Sequence, residues 1–254
     1  MTFAANPPNT CAITYAASAG GSVRGSSSQV VASGSSGTTV TADPEPHYHF
    51  VKWSDGVLTP ARTDSNVTAD RAVTADFAID TYRIALSAGP GGRVSPMGAS
   101  LVDYGSSSET YRVSAASGYV IGNVVVDGVS QGPISEFTFT NVTAPHTISA
   151  TFKRVTRLTI SSDRSVSTGG HAVYFSGTMS PNVANGPHVT VWIRKSTTSK
   201  WTLLSTRHTY SSHHWSYTLS TRTRKHGTYY VQVRYAGSSK LTVATSSSRK
   251  IVIR

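Results

Sequence analysis

Histidine pairs are the residues best suited to metal chemistry in this chain of 254 residues. His47 and His49 stand two positions apart, so a strand would place both imidazoles on one face. His208, His213 and His214 form a second cluster. Zinc sites combine such imidazoles with Cys or carboxylate ligands at characteristic spacings, which neither cluster has. We interpret both clusters as loop and edge histidines, and we expect no metal site and no cofactor.

The carboxylates of the chain do not form the pattern expected of a general acid–base catalytic site. Asp163 is the only acidic residue from 153 to 254, so the paired carboxylates of glycoside hydrolysis are not expected there. The acids nearer the N-terminus stand mostly beside Gly or Pro, as turn residues do. We expect no serine nucleophile in a Gly-x-Ser-x-Gly elbow of the hydrolase type. We predict that the protein is not an enzyme and has no catalytic residues.

Positive charge is concentrated in the C-terminal part of the chain. Sixteen of the 23 Lys and Arg residues lie from 153 onwards with a single acid, giving a net charge of +15, while residues 1–152 have −4. Such a charge favours polyanions: cell-wall polymers, acidic polysaccharides or, without sequence specificity, nucleic acid. The alternative is that the charge only keeps a β domain soluble or offsets an acidic neighbour.

The elements that must position these residues are strands. Short runs of alternating apolar and polar residues recur about every eight to twelve positions, separated by Gly, Ser, Asn and Pro, which is typical of an all-β chain. Cys11 is the only cysteine, so no intrachain disulfide forms and the modules depend on their cores. No apolar run approaches twenty residues, so we expect no membrane insertion.

An internal repeat divides the first part of the chain. Asn66-Val67-Thr68-Ala69 matches Asn141-Val142-Thr143-Ala144, and residues 72–77 match 147–152 at the same offset of 75. Thr2-Phe3-Ala4 resembles the end of such a copy, either by chance or because another copy precedes. We therefore predict four segments. They are 1–11 (the end of a preceding repeat, or a linker), the first module (12–79), the second module (80–153) and the third module (154–254).

The two copies resemble the divergent internalin-type B-repeat of bacterial surface proteins. The resemblance lies in residues 48–56 (YHFVKWSDG) and in the closing Thr74-Ala75-Asp76-Phe77, although His47 replaces a glycine of the family. The second copy keeps Gly118-Tyr119 and Asp127-Gly128, and has Val124 where the first has Trp53. The resemblance implies compact, β-grasp-like modules used as spacers or adhesive arms, with Trp53 packed in a core.

The third module resembles the cysteine-free immunoglobulin-like repeats of secreted bacterial proteins. The resemblance rests on Tyr174-Phe175-Ser176-Gly177-Thr178 and on Gly227-Thr228-Tyr229-Tyr230-Val231. Seven strands are predicted, as an immunoglobulin-like β-sandwich requires. They lie near 157–162, 171–179, 188–196, 200–209, 214–220, 227–235 and 248–254.

A candidate polymer-binding face follows from two of these strands. The third and sixth strands, 188–196 and 227–235, lie side by side in one sheet of such a sandwich. Alternation then sends Val189, Val191 and Ile193, with Tyr229, Val231 and Val233, to the core. It brings four residues to the opposite face: Trp192, Arg194, Tyr230 and Arg234. Aromatic rings stack on sugars, and arginines pair with phosphate or carboxylate, so this face could bind a polymer. The alternative is that the arginines only cover the rings.

These features together predict a structural role. We expect a non-catalytic segment of a bacterial extracellular or cell-surface protein that acts as a spacer, display stalk or adhesive part. One alternative is a module that binds anionic polymers through its basic domain, and another is an accessory domain of a surface hydrolase. The expected partners are an anionic polysaccharide or cell-wall polymer, other modules of the chain, or a second copy.

Overall fold

The computed structural model of the protein describes residues 9–181, 187–208 and 214–254. Within those residues the chain forms 25 strands and no helix, so the all-β prediction is confirmed. The predicted copy end at Thr2-Phe3-Ala4 lies outside the described residues, and so does His213 of the second histidine cluster.

The first module is built from two sheets around one core. One sheet has the strand order β3-β1-β7-β5, with β1 and β7 parallel, and the other has the order β2-β4-β6. The strands are β1 (Thr10–Ala17), β2 (Gly21–Arg24), β3 (Ser28–Ala32), β4 (Val40–Pro44), β5 (Tyr48–Trp53), β6 (Ala61–Arg62) and β7 (Arg71–Ile79).

Alternating side chains supply this core from both sheets. In β1, Ile13 and Tyr15 point inward between exposed residues, and Val40 of β4 joins the same cluster. Trp53 at the end of β5 is fully buried there, as the resemblance implies. Each inward side chain removes apolar area from water, which is the main favourable term for a module without disulfides.

The second module repeats this topology. Its sheets have the orders β10-β8-β15-β12-β13 and β14-β11-β9, which reproduce those of the first module with β13 added at one edge. Val124 pairs with Ala150 as Trp53 pairs with Ala75, so the two positions are equivalent. The strands are β8 (Thr81–Ala88), β9 (Gly92–Ser95), β10 (Ala99–Asp103), β11 (Tyr111–Ala115), β12 (Tyr119–Val126), β13 (Val129–Gly132), β14 (Glu136–Phe137) and β15 (His146–Arg154).

In each of the two modules, an aromatic ring covers a glycine of one turn. A Cβ on Gly20 would lie 2.1 Å from the Tyr48 ring, and one on Gly91 would lie 2.3 Å from the Tyr119 ring. Both glycines have positive φ, 91° and 98°, which an L side chain rarely adopts. Glycine is therefore required at these two positions by ring packing as well as by the backbone.

The chain separates into two compact units, and the division passes through the second module. The first unit holds the described residues up to Ala85 with Ala99–Thr110 and Thr138–His146, and the second holds Leu86–Gly98, Tyr111–Phe137 and Thr147–Arg254. Strand β8 begins in one unit and ends in the other. The predicted domain limits stay predictions.

The third module is a β-sandwich. One sheet has the order β16-β19-β17, with β22 also paired to β19, and the other has the order β18-β25-β23-β20-β21, with β24 paired to β23. The strands are β16 (Arg157–Leu158), β17 (Ser161–Ser162), β18 (Val166–Ser167), β19 (Val173–Ser180), β20 (His188–Lys195), β21 (Thr202–His208), β22 (His214–Leu219), β23 (Gly227–Tyr235), β24 (Ala244–Thr245) and β25 (Arg249–Ile253).

The core of this sandwich follows the predicted alternation. Phe175 of β19 and Trp215 of β22 face it from one sheet, and the other sheet contributes the side chains of β20 and β23. All six residues that the alternation assigns to the core are buried: Val189, Val191, Ile193, Tyr229, Val231 and Val233.

The closing phenylalanines of the first two modules differ in burial although they occupy equivalent positions. Phe152 is 8% exposed and lies against Gly92, whereas Phe77 lies against Gly21 and is half-buried at the edge of its core. We predict that Phe152→Ala lowers the free energy of unfolding by about 3 kcal/mol or more, because the cavity cannot collapse fully.

Urea unfolding followed by near-ultraviolet circular dichroism measures this change. Leu101→Ala is the control, because Leu101 is 69% exposed on β10 and its truncation should change stability by less than about 0.5 kcal/mol. Equal stability of the Phe152→Ala variant and the parent would contradict the packing described here.

Candidate functional site

The four residues of the predicted face lie together on the outer surface of one sheet of the third module. Strands β20 and β23 are antiparallel neighbours in which Arg194 is opposite Tyr230, and Trp192 is opposite Gln232. All four predicted residues are half-buried and alternate along their strands with buried residues of the core. Alternation therefore places them on the face that points away from the core.

A fifth residue, Trp201, completes the arrangement. The Arg194 guanidinium carbon lies 4.7 Å from the Trp201 ring centroid and 5.4 Å from that of Tyr230. The Arg234 guanidinium carbon lies 4.7 Å from the Trp192 centroid and 5.4 Å from that of Trp201. The five side chains form an alternating row, Tyr230–Arg194–Trp201–Arg234–Trp192, which we call the cation–π ladder.

Sequence reasoning missed Trp201 because it precedes β21, whose register on β20 is irregular. The pairing shifts between Val191 and Trp192, so simple alternation does not predict which face a residue near this strand end occupies. The sequence did offer one indication, because Trp201 lies within the predicted strand 200–209.

Hydrogen bonds hold the ladder in place. Trp192 Nε1 donates to Thr190 Oγ1 at 2.9 Å, and that hydroxyl donates to the backbone oxygen of Arg234 at 3.1 Å. Arg234 donates from Nε and Nη2 to Gln232 Oε1, and Arg194 donates from Nη1 to the Thr197 oxygen at 2.6 Å. Arg194 Nε is shielded from solvent and has no hydrogen-bond partner within the described residues.

No acidic side chain of the third module neutralises these arginines. Asp163 is its only acid, and Asp163 pairs with Arg164 at 2.9 Å and accepts from the Tyr174 amide. The ladder therefore presents two guanidinium charges to solvent from rigid positions. Such an arrangement can bind anionic groups by charge-assisted hydrogen bonds.

The histidines take separate roles in the described structure. His49 Nδ1 lies 2.9 Å from Asp80 Oδ1, while the His47 ring stacks on Tyr104 with centroids 3.4 Å apart. No group of three or more potential metal-ligating side chains occurs in the described part of the chain. The expectation that the protein binds no metal stays a prediction.

One serine has the sequence context of a hydrolase nucleophile and was not recognised by sequence analysis. Residues 128–132 read Gly-Val-Ser-Gln-Gly, the Gly-x-Ser-x-Gly pattern. The structure places Ser130 in β13 of a hairpin with β12, and its hydroxyl donates to Asn123 Oδ1 at 2.7 Å. A nucleophile elbow needs a strand followed by a helix, and this strand is followed by the two-residue strand β14.

A buried ion network lies in the first module. Arg62 is 8% exposed and donates to both oxygens of Asp55, at 3.0 and 2.8 Å, and to Asp64 at 2.7 Å. Asp64 is 5% exposed and also accepts from Arg71 at 2.8 Å and from the Tyr15 hydroxyl at 2.6 Å. Every charge in the network is paired, as burial requires.

The network shifts the pKa values of its members. Burial raises the pKa of Tyr15 to about 12, with the Asp64 hydrogen bond adding to the effect. The hydrogen bond from Arg62 lowers the pKa of Asp55. Burial alone would raise the pKa of Asp64, but hydrogen bonds from Arg62 and Tyr15 outweigh it and the pKa is lowered. Both carboxylates are therefore charged in the folded state at neutral pH.

The second module has apolar residues where the first has this network. Phe137 pairs with Tyr111 as Arg62 pairs with Val40, so Phe137 occupies the position of Arg62. Phe139, two residues later, occupies the position of Asp64 and stacks on His146 at 4.3 Å. The buried ion network is therefore one way to fill this part of the core, and the topology that the two modules share does not require it.

Comparison with protein families finds a match for part of the chain. Residues 11–81 match the model of the divergent InlB B-repeat domain. This match covers the first module and supports the resemblance stated from its motifs. No curated protein matches the chain. In the described residues, no helix is long and apolar enough to cross a membrane.

We predict that Asp64→Asn lowers the free energy of unfolding of the first module by about 3–5 kcal/mol at neutral pH, because Arg62 stays buried without its full complement of charge. Asp43→Asn is the control. It removes an exposed ion pair with Arg24, which should be worth less than about 1 kcal/mol.

The same variant has a distinct pH dependence. Because folding lowers the pKa of Asp64 and Asp55, their contribution to stability is complete above the ordinary carboxyl pKa of about 3.9 and is lost as pH falls towards the folded-state value. Urea titrations at pH 7 and pH 3, followed by the Trp53 indole N–H resonance, should show a smaller loss in Asp64→Asn than in the parent. An equal loss in both proteins would contradict the assignment.

Proposed function

We propose that this chain is a non-catalytic spacer segment of a bacterial extracellular or cell-surface protein. The observation that supports this most directly is the repeated topology of residues 10–79 and 81–154, one copy of which matches a B-repeat family. Domains of that family occur in bacterial surface proteins. A spacer requires modules with cores of their own, and separate clusters of buried side chains lie in the first and third modules.

The second copy and the third module extend the proposal. The second module is assigned to the same repeat type because its strands pair in the same order, and the third is assigned to an immunoglobulin-like sandwich because β20 and β23 lie side by side in one of its two sheets. Serial arrays of such modules carry load and separate functional ends without forming a reaction site.

Stretching the chain from its two ends by single-molecule force spectroscopy tests the spacer proposal. We expect separate unfolding events that release about 240 Å of chain for each of the first two modules and about 350 Å for the third, since an extended residue spans about 3.5 Å. A single event that releases the whole chain at once would contradict independent modules.

A second candidate function is binding of anionic polymers by the third module. The specific observation in its favour is the net charge of +15 over residues 153–254, in which Asp163 is the only acid and is already paired. A charge of this size attracts polyanions over long range and releases their counterions on binding.

Retention of the chain on immobilised heparin, polygalacturonate and DNA measures this candidate. We expect retention at about 50 mM salt that falls by at least tenfold at about 200 mM, because counterion release makes such binding steeply salt-dependent. A matched sample of residues 9–153, in which eleven acidic residues outnumber eight Lys and Arg residues, should flow through. Equal behaviour of both samples would contradict a role for the basic module.

A further inference from the structure

We propose that the cation–π ladder is the binding site for an anionic carbohydrate polymer, whose phosphate or carboxylate groups are recognised by Arg194 and Arg234. This inference rests on the second candidate function and assigns it to one surface. It differs from attraction by diffuse charge, because it requires the fork geometry of two arginines and the rings that hold them.

The two guanidinium groups are spaced to meet neighbouring anionic groups of one chain. Both lie near Trp201, at 4.7 and 5.4 Å from its centroid, so their carbons are at most about 10 Å apart. Each guanidinium has five N–H donors in a planar fork that matches phosphate and carboxylate oxygens. Within the described residues, Arg234 bonds through Nε and Nη2 and Arg194 bonds through Nη1, which leaves Nη1 of Arg234 and Nη2 of Arg194 available to an anion.

Each arginine of the ladder has its guanidinium close to two aromatic rings, which restrict its movement. A guanidinium on a flexible stem loses rotamer freedom when it binds, and a preorganised one loses less. Here Arg194 lies between Trp201 and Tyr230, and Arg234 lies between Trp201 and Trp192. The aromatic residues are therefore positioning residues for the arginines rather than platforms for sugar rings.

The same geometry favours a carbohydrate polyanion over nucleic acid. Proteins that bind single strands offer open aromatic faces on which bases stack. Each ring of the ladder already has a guanidinium within 5.4 Å of its centroid, which competes with a base for that face. A polymer of sugars or sugar alcohols needs no base stacking and presents its anionic groups at regular intervals.

The test uses the full chain with the charge held constant. Arg194→Lys and Arg234→Lys together keep both positive charges but remove the planar fork, and Arg157→Lys is the matched control at an exposed residue of the other sheet. The probes are polygalacturonate, a poly(ribitol phosphate) and oligothymidylate, with binding measured by calorimetry at low and high salt. Trp201→Leu is a second variant that leaves both arginines in place.

We expect the double variant and Trp201→Leu to bind polygalacturonate or poly(ribitol phosphate) at least tenfold more weakly than the parent. Arg157→Lys should bind like the parent, and all variants should keep the far-ultraviolet circular dichroism spectrum of the parent. If the ladder variants lose affinity for just one of these two probes, that probe identifies carboxylate or phosphate as the recognised group. Unchanged affinity in both ladder variants overturns the proposal and leaves binding by diffuse charge. Tighter binding of oligothymidylate, lost in the same variants, overturns the carbohydrate assignment. No binding of any probe by the parent rejects the second candidate function as well.

Discussion

Burial of alternating side chains between two sheets is the constraint on which the rest of this structure depends. The single cysteine is buried in the first core, so no disulfide supports the modules, and each must remove enough apolar surface from water by itself. Inward positions such as Ile13, Val191 and Val231 are accordingly almost fully buried, whereas their neighbours along the strands are half-buried or exposed. Residues that can contact a partner therefore lie on the outward faces, as the ladder does.

The first two modules show how one topology accepts two kinds of core. Arg62 and Asp64 fill a position with a fully paired ion network, and Phe137 and Phe139 fill the equivalent position with rings. Desolvation of charges opposes the gain from pairing them, so apolar replacements of such networks are often neutral or stabilising. The two carboxylates of the network, Asp55 and Asp64, have lowered pKa values and thereby link the stability of the first module to pH.

On the surface of the third module, the cation–π ladder combines stabilising contacts with charges that have no carboxylate partner. Arginines between aromatic rings gain cation–π attraction and shield apolar ring faces from water, which gives Trp192 and Trp201 a structural reason to face outward. The same contacts hold two charges in fixed positions without a carboxylate partner. Stability of the sheet face and preorganisation for anions therefore arise from one set of contacts.

The sequence by itself determined the all-β fold, the repeat of the first half and the face shared by Trp192, Arg194, Tyr230 and Arg234, because a period of two fixes which side of a strand each residue occupies. Only the tertiary structure decided that Trp201 completes the row, since its position follows from the irregular pairing of β21 on β20. It also decided that Asp55, Asp64 and Arg62 form one network. Residues that meet across loops have no periodic pattern, because their contact depends on how the sheets stack.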